Sequence, residues 1–376
     1  MGDAPDRLDV AVAVVGAGQA GLAVGYHLQR VGLVPREDFV LVDAGERPGG
    51  AWPRTWEDLR LFSPAAYSSL PGWMMPAGGA EGFPPREHVV DYLAAYEQRY
   101  GLAPLRPHRV EEVVAADDDP DGALLVRAPG LEVAARAVVS ATGTWDRPFW
   151  PHYPGAEEYA GRQLHAADYR SPEQLAGLHV LVVGGGNSAA QVLAQLSTRV
   201  GTDDRTTWVT PRPPRFLPDD VDGRALFEAA TARVRARAAG SAGTPDSPAS
   251  LGDVVVVPEV RAARERGAMQ ARPMFERLTR DGVAWADGST LAVDAVVWCT
   301  GFRPALRHLA PLRLRDARGR VPVGGTSGTR AEHDHRVHLV GYGDWTGPAS
   351  ATLIGVGRTA RATVAEVLDR LGPQPR

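Results

Sequence analysis

The sequence predicts an α/β fold in which one Rossmann-like dinucleotide-binding domain is inserted into another. First, β-branched runs at residues 10–15 and 180–183 each lead into a glycine-rich G-x-G-x-x-G/A turn and then into a helix-like stretch. That order of strand, turn and helix is the one that a dinucleotide pyrophosphate requires. Second, the apolar strands within residues 137–143 and 295–301 both end in Thr-Gly, and they bracket the second glycine motif. The chain is therefore expected to leave the first domain and return to it around the second.

The first glycine motif predicts a pyrophosphate site at the start of a helix. Its three glycines permit a tight turn, close approach of the backbone to the ligand, and close packing of helix on strand. The residues expected to contact this cofactor are Gly16, Gly18, Gln19, Ala20 and Gly21. Asp43 ends the next predicted strand about 20 residues further on, where a carboxylate binds a ribose hydroxyl. The alternative is that Asp43 is a solvated aspartate at a strand end.

The second glycine motif predicts a second dinucleotide, so that the pair is most simply a flavin and a nicotinamide that exchange a hydride. The residues expected to contact the second cofactor are Gly184, Gly186, Asn187, Ser188 and Ala189, followed by Thr210 and Arg212 after the next strand. No carboxylate ends that strand, and an arginine there accommodates the 2′-phosphate of NADPH. An exposed arginine without this role is the alternative. The two Thr-Gly turns add Thr142, Gly143, Thr300 and Gly301 to the expected cofactor contacts.

Composition excludes several classes of function. The 376 residues are 44% hydrophobic and 23% charged, with a net charge of −4 and no basic stripe, which argues against nucleic acid as a partner. The polar N terminus lacks signal-peptide features, and no apolar run is long enough to cross a bilayer, so we expect a cytoplasmic protein without membrane contacts. Cys299 is the only cysteine, which excludes a dithiol pair. All 41 basic residues are arginine, which excludes a Schiff-base lysine and a P-loop lysine.

Between the motifs, the sequence predicts a helix at residues 87–100 and a β-meander at 110–140. The proline- and aromatic-rich stretch at 59–85 is too irregular for either, and such loops often carry a site; a packing loop is the alternative. Residues 225–239 are expected to form an arginine-rich helix and 240–250 a mobile loop. The histidines at 333 and 335 favour a surface turn over a metal site, and we expect no metal.

Residues 159–170 resemble the class B flavoprotein monooxygenase signature F-x-G-x-x-x-H-x-x-x-[YF]-[KR], with Tyr159 in place of the first Phe. Residues 49–52 resemble the G-G-x-W flavin loop of that family. Residues 341–344 resemble the Gly-Asp motif of flavoproteins that bind two dinucleotides. Within the class, residues 59–73, 216–224 and 341–347 are most similar to the ArsO-type monooxygenases of bacterial arsenic-resistance operons.

The resemblance implies a glutathione-reductase-like two-domain flavoprotein. The FAD domain would comprise residues 1–170 and 301–376, and the inserted NADPH domain residues 171–300. NADPH would reduce FAD, and reduced FAD would take O₂ to a C4a-hydroperoxide that oxygenates nitrogen, sulfur or arsenic in a small molecule. Substrate and O₂ are the expected partners, and a homodimer is left open.

The resemblance also assigns site residues. Gly50, Trp52, Arg60, Asp344 and Thr352 are the further cofactor contacts that it implies, and Ser68, Ser69 and His165 are the implied catalytic residues. Animal-type members carry an asparagine in the loop that matches residues 59–71, whereas this chain offers serines. The helix that starts near residue 349 would direct its N-terminal amides at the pyrimidine edge of the flavin.

Two rival functions remain open at this stage. An NADPH-dependent flavin oxidoreductase, acting as a quinone or electron-carrier reductase or as an NADPH oxidase, would use the same two domains without oxygen transfer. A redox-sensing nucleotide-binding module is disfavoured, because both glycine motifs and the Gly-Asp motif are intact.

Overall fold

The structure is a computed structural model that describes residues 5–78, 82–199, 205–219, 253–347 and 349–372. The helix expected at 225–239 and the loop expected at 240–250 lie outside the described residues, as do Pro348 and part of segment 216–224. The α-helices of the described residues are α1 (Gln19–Arg30), α2 (Arg86–Tyr100), α3 (Asn187–Arg199), α4 (Pro258–Glu265) and α5 (Leu353–Leu371). The β-strands are β1 (Asp6–Val15), β2 (Phe39–Val42), β3 (Glu112–Ala115), β4 (Leu124–Ala128), β5 (Leu131–Ser140), β6 (Arg162–His165), β7 (Val180–Val183), β8 (Thr206–Thr210), β9 (Ala271–Pro273), β10 (Arg277–Thr279), β11 (Gly282–Ala284), β12 (Thr290–Ala292), β13 (Ala295–Trp298), β14 (Val323–Gly324), β15 (Arg330–Ala331) and β16 (Val337–Leu339).

The first sheet carries the first glycine motif. Its strand order is β14-β15-β16-β5-β1-β2, and the β3–β4 hairpin pairs with β5. Strands β16, β5, β1 and β2 run parallel to one another. The β-branched end of β1 is buried on both faces, as parallel strands covered on both sides require. Helices α1 and α5 cover one face, where Leu22 and Val356 share a core cluster with Val14.

The second sheet carries the second glycine motif. Its five strands are parallel, in the order β6-β13-β7-β8-β9. A small antiparallel sheet of β10, β11 and β12 accompanies it. The α/β fold with two Rossmann-like domains is therefore confirmed. Among the described residues, no helix is both long and apolar enough to span a bilayer.

Two chain segments cross between the sheets. They run side by side, with an antiparallel bridge between Pro148 and Phe302 and a hydrogen bond of 2.9 Å from Phe149 N to Gly301 O. Strand β6 pairs with β13 of the second sheet, although the boundary expected at residue 171 assigned it to the first domain. This pairing joins segments about 130 residues apart, so local sequence patterns carry no information about it.

Candidate dinucleotide sites

The first glycine turn has the geometry that a pyrophosphate needs. Gly16 has φ +100°, and a Cβ there would lie 2.6 Å from Ala141 O. A Cβ on Gly21 would lie 1.8 Å from Gly16 O, so helix α1 packs directly on the turn. At Gly18 the nearest contact of a Cβ would be Gly50 Cα at 3.6 Å. The position beside the middle glycine is therefore open. No side chain caps the N terminus of α1, so its amides are available to an anion.

Asp43 lies at the end of β2, beside this turn. Its carboxylate accepts hydrogen bonds from Ala17 N at 2.6 Å and from Gly45 N at 2.7 Å. Asp43 is 6% exposed, so it is not the solvated strand-end aspartate of the alternative interpretation. The structure brings the predicted ribose ligand to the glycine turn and fixes its orientation there.

Three separate segments meet at Gln19. Its side chain donates to Ala351 O at 2.6 Å and accepts from Trp52 Nε1 at 3.2 Å. The loop that carries Trp52 touches the glycine turn, since a Cβ on Gly50 would lie 2.7 Å from Gly18 Cα. A Cβ on Gly341 would similarly lie 2.6 Å from Ala20 Cβ. The structure thus joins the glycine turn, the Gly-Gly-x-Trp loop and the segment before α5.

The segment before α5 contains the Gly-Asp motif. Asp344 is exposed in a short 3₁₀ turn, and Thr352 is the N-cap of α5, where its Oγ1 accepts from Gly355 N at 3.0 Å. The helix expected near residue 349 therefore begins at Leu353. Its first turn contains no acidic residue, so its N terminus retains the partial positive charge of the helix dipole.

Tyr342 was missed by sequence reasoning, although it lies inside the Gly-Asp motif. Its buried hydroxyl is 2.7 Å from Ser140 Oγ and 2.8 Å from Thr142 Oγ1, and it accepts from Thr142 N at 3.2 Å. Ser140 Oγ is also 3.1 Å from His308 Nε2. Burial raises the pKa of Tyr342, so the hydroxyl keeps its proton. This network ties the turn at Thr142 and Gly143 to the Gly-Asp segment.

The second glycine turn repeats the geometry of the first. Gly184 has φ +136°, and a Cβ there would lie 2.4 Å from Cys299 O. A Cβ on Gly186 would have nothing within 4 Å. Ser188 is half-buried at the start of α3, whereas Ala189 packs into the core. The middle of this turn is again open.

Asn187, by contrast, is held by the protein itself. Its side chain donates to Asp253 O at 3.1 Å and accepts from Val255 N at 2.8 Å. The side chain therefore fixes the segment that precedes α4. At the end of β8, Thr210 is buried and Arg212 is exposed. The structure thus presents an exposed guanidinium near the strand end where the spacing predicts the contact with a 2′-phosphate.

His165 holds the crossing segments. Its Nε2 is 3.0 Å from Gly301 O, and its Nδ1 accepts from Ala167 N at 3.0 Å. Both ring nitrogens are occupied, the residue is fully buried, and burial lowers its pKa. The imidazole is therefore neutral at pH 7 and carries its proton on Nε2. Thr300, next to Gly301, donates to Phe149 O through its hydroxyl.

Ser68 and Ser69 form bonds within their own loop. Ser68 Oγ lies 2.9 Å from Ser63 Oγ and donates to Pro64 O at 3.0 Å. Ser69 Oγ donates to Ala65 O at 3.2 Å and accepts from Met75 N at 2.8 Å. Both serines are buried, so they shape the loop.

Arg60 spans the two domains. Its Nε donates to Glu259 Oε1 of α4 at 2.8 Å, and its Nη1 donates to Phe83 O at 3.3 Å. Nearby Trp56 is 3% exposed and packs into the core of the second domain, although it follows the Gly-Gly-x-Trp loop of the first. Because Trp56 lies in an irregular loop, the sequence did not predict that it packs against the second domain. The loop thus links the first glycine turn to the inserted domain.

The turn at residues 333–335, where no metal is expected, makes one hydrogen bond and one ion pair to neighbouring residues. His335 Nε2 lies 2.9 Å from Asp121 Oδ1, and Asp334 pairs with Arg336 at 2.8 Å. In the part of the chain that the structure describes, no three His, Cys, Asp or Glu side chains are grouped to hold a metal ion.

Comparisons with known proteins show which family this chain is similar to. A family model described as pyridine nucleotide-disulphide oxidoreductase matches residues 13–220. The CzcO-like uncharacterized oxidoreductase of Geobacillus kaustophilus is 30% identical over 365 residues, covering 96% of this chain and 99% of that protein. The rice indole-3-pyruvate monooxygenase YUCCA1 (Oryza sativa) is 30% identical over 342 residues, covering 82% of each. A flavin-containing monooxygenase from Stenotrophomonas maltophilia has a similar structure, with a TM-score of 0.85, 47% identity, and coverage of 97% of this chain and 100% of that one.

Proposed function

Because this chain belongs to the pyridine nucleotide-disulphide oxidoreductase family, and within it to the flavin monooxygenases that use FAD and NADPH, we propose that it oxygenates a soft heteroatom of a small molecule. The heteroatom is nitrogen, sulfur or arsenic. The overall balance is NADPH, H⁺, O₂ and substrate giving NADP⁺, water and the oxygenated substrate. When bound, FAD accepts the hydride of NADPH and passes its electrons to O₂. The two open glycine turns support the binding of both cofactors, and the observation that supports oxygen transfer is the 47% identity, over 97% of this chain, to a flavin-containing monooxygenase.

The residues of the first domain fit FAD. The open position at Gly18 and the uncapped N terminus of α1 would receive the pyrophosphate, and Asp43 would accept from a ribose hydroxyl. Gln19 and Trp52 would hold the loop over the flavin through their hydrogen bond. Asp344, at the approach to α5, would bind the ribityl side. Thr352 would act through its position, since its hydroxyl donates to Ala349 O at 2.8 Å and accepts from Gly355 N at 3.0 Å, and would hold the N terminus of α5 toward the pyrimidine side.

The residues of the second domain fit NADPH. Gly186 and the N terminus of α3 would receive its pyrophosphate, with Ser188 in the first turn. Arg212 would pair with the 2′-phosphate, because a guanidinium binds phosphate oxygens in a bidentate manner. Asn187 would act indirectly, through the segment that its side chain fixes.

His165, Ser68 and Ser69 are better supported as positioning residues than as the catalytic residues that the resemblance implied. A catalytic proton carrier needs a nitrogen or oxygen that can reach the substrate. Both nitrogens of His165 are bonded within the protein, and the two serine hydroxyls are bonded within their loop. Arg60, with its ion pair to Glu259, would likewise hold the inserted domain against the flavin loop.

Similarity to the ArsO type is the finer part of the proposal, supported by the segments at residues 59–73 and 341–347. It makes a trivalent organoarsenical one of three substrate classes to test, beside a thioether and a tertiary amine. The two relatives described above bear CzcO-like and YUCCA names. The choice among the three classes therefore rests on the assay.

The decisive experiment follows the oxygen atoms. Purified holoenzyme is mixed with NADPH and ¹⁸O₂ in the presence of each substrate class, and NADPH loss, H₂O₂ release and product mass are measured together. We expect one class to raise NADPH oxidation and to gain one ¹⁸O atom per NADPH consumed. Release of one H₂O₂ per NADPH consumed with every substrate class would contradict the proposal and indicate an oxidase. Oxidation of NADPH by a quinone without O₂, with no labelled product in the ¹⁸O₂ experiment, would indicate a reductase.

A further inference from the structure

The proposed ribose ligand, Asp43, belongs to a buried cluster of three charged side chains. The segment after α2 runs along β2, with Leu105 N donating to Leu41 O at 2.8 Å and Asp43 N donating to Leu105 O at 2.9 Å. This pairing brings Arg106 next to Asp43. The side chains of Arg106, Asp43 and Glu97 are 11%, 8% and 8% exposed.

Arg106 contacts both carboxylates in different ways. Its two terminal nitrogens donate to Glu97 of α2, at 2.8 Å from Nη1 to Oε2 and 2.5 Å from Nη2 to Oε1. Its Nε lies 3.5 Å from Asp43 Oδ1, and this buried Nε makes no hydrogen bond among the described residues. The bidentate pair to Glu97 fixes the guanidinium. Nε, the third donor, therefore stays within ion-pair distance of Asp43 without a hydrogen bond to it.

The two buried carboxylates of Asp43 and Glu97 require the positive charge of Arg106. Burial raises the pKa of Glu97, and the hydrogen bonds from Arg106 oppose that shift. Without Arg106, two buried carboxylates would be left together without a positive partner, which is costly in a protein interior. Asp43 also holds the amides of Ala17 and Gly45, so any movement of its carboxylate disturbs the first glycine turn.

We propose that Arg106 is a positioning residue that holds Asp43 for the adenosine ribose and so makes the protein select FAD over FMN. This inference rests on the proposed role of Asp43 as the ribose ligand. FMN ends at the ribityl phosphate and has no adenosine, so Asp43 can strengthen the binding of FAD alone. A purely structural Arg106 would support both flavins equally.

The test measures the dissociation constants of FAD and FMN for the full-length chain stripped of flavin, by quenching of flavin fluorescence, together with the melting temperature. Arg106→Met should weaken FAD about tenfold or more and FMN less than about twofold. Arg106→Lys should retain part of the FAD affinity, because lysine keeps the positive charge but lacks the planar guanidinium that binds a carboxylate in a bidentate manner. Arg127→Met is the matched control, since Arg127 on β4 also contacts two carboxylates, Glu112 and Glu132, and its side chain is 42% exposed.

A double variant separates positioning from folding. Glu97→Gln combined with Arg106→Met removes the unpaired buried charge on α2, so the melting temperature should recover while FAD binding stays weak. Equal weakening of FAD and FMN in Arg106→Met, or recovery of FAD affinity in the double variant, overturns the inference. Asp43→Asn identifies a different failure: if it leaves FAD affinity unchanged, the ribose assignment itself is wrong. If it weakens FAD while Arg106→Met does not, only the role of Arg106 is wrong.

Discussion

Gly50→Ala tests whether the Gly-Gly-x-Trp loop shapes the flavin site through direct backbone contact. Gly50 has φ +60°, and a Cβ there would lie 2.7 Å from Gly18 Cα. An alanine in this left-handed conformation costs roughly 1–2 kcal/mol. Ordinary contact begins near 3.4 Å, so the two backbones must also separate by about 0.7 Å. That movement would displace the open position at Gly18, which is the proposed pyrophosphate site.

Gly101→Ala is the matched control. Gly101 ends α2 with φ +57°, and a Cβ there has nothing within 4 Å. Both variants should therefore lose roughly 1–2 kcal/mol of stability from backbone strain. Only Gly50→Ala should also lose FAD affinity, by about tenfold or about 1.4 kcal/mol.

The assay combines thermal unfolding of the flavin-free chain with fluorescence titration of FAD. Gly101→Ala should melt at a reduced temperature from strain alone, and Gly50→Ala at the same or a lower temperature because of its contact with Gly18. Only Gly50→Ala should have a raised FAD dissociation constant. Equal FAD affinity in both variants would refute the reasoning, because the contact with Gly18 would then have no effect on the site.

Three further predictions address other parts of the molecule. Arg212→Ala should reduce the preference for NADPH over NADH by about tenfold, measured as the ratio of kcat/KM values; an unchanged ratio would leave Arg212 as an exposed arginine. Tyr342→Phe should destabilise the chain by about 1–3 kcal/mol in denaturant unfolding, because Thr142 N loses its buried acceptor, and an unchanged midpoint would contradict this. Burial lowers the pKa of His308 from 6.5 to about 4, so the unfolded chain takes up its proton first as the pH falls. Stability should therefore decrease between pH 6.5 and pH 4, by up to about 3 kcal/mol for this group, and a melting-temperature profile that is no flatter in His308→Gln would argue against it.

The sequence by itself determined the two Rossmann-like domains and the positions of their glycine turns. The reason is that the signals are local: a β-branched run, a spaced set of glycines and an amphipathic helix follow one another within a few tens of residues. Gly16, Gly18 and Gly21 therefore have the conformations and spaces that their spacing predicts. The spacing also predicted that Asp43 lies beside the first turn, where it bonds Ala17 N, because its distance from the turn along the chain is set by one helix and one strand.

Only the tertiary structure decided what the polar side chains bind. His165 has a pattern typical of its family, but its partner Gly301 lies 136 residues away, and the contact shows both nitrogens occupied. Strand β6 pairs with β13, which is similarly far away along the chain, and therefore belongs to the second sheet. Arg106 meets Asp43 and Glu97 because the chain folds its segment along β2. Buried polar groups must be paired, and their partners are chosen by packing between distant segments, which local sequence patterns do not encode.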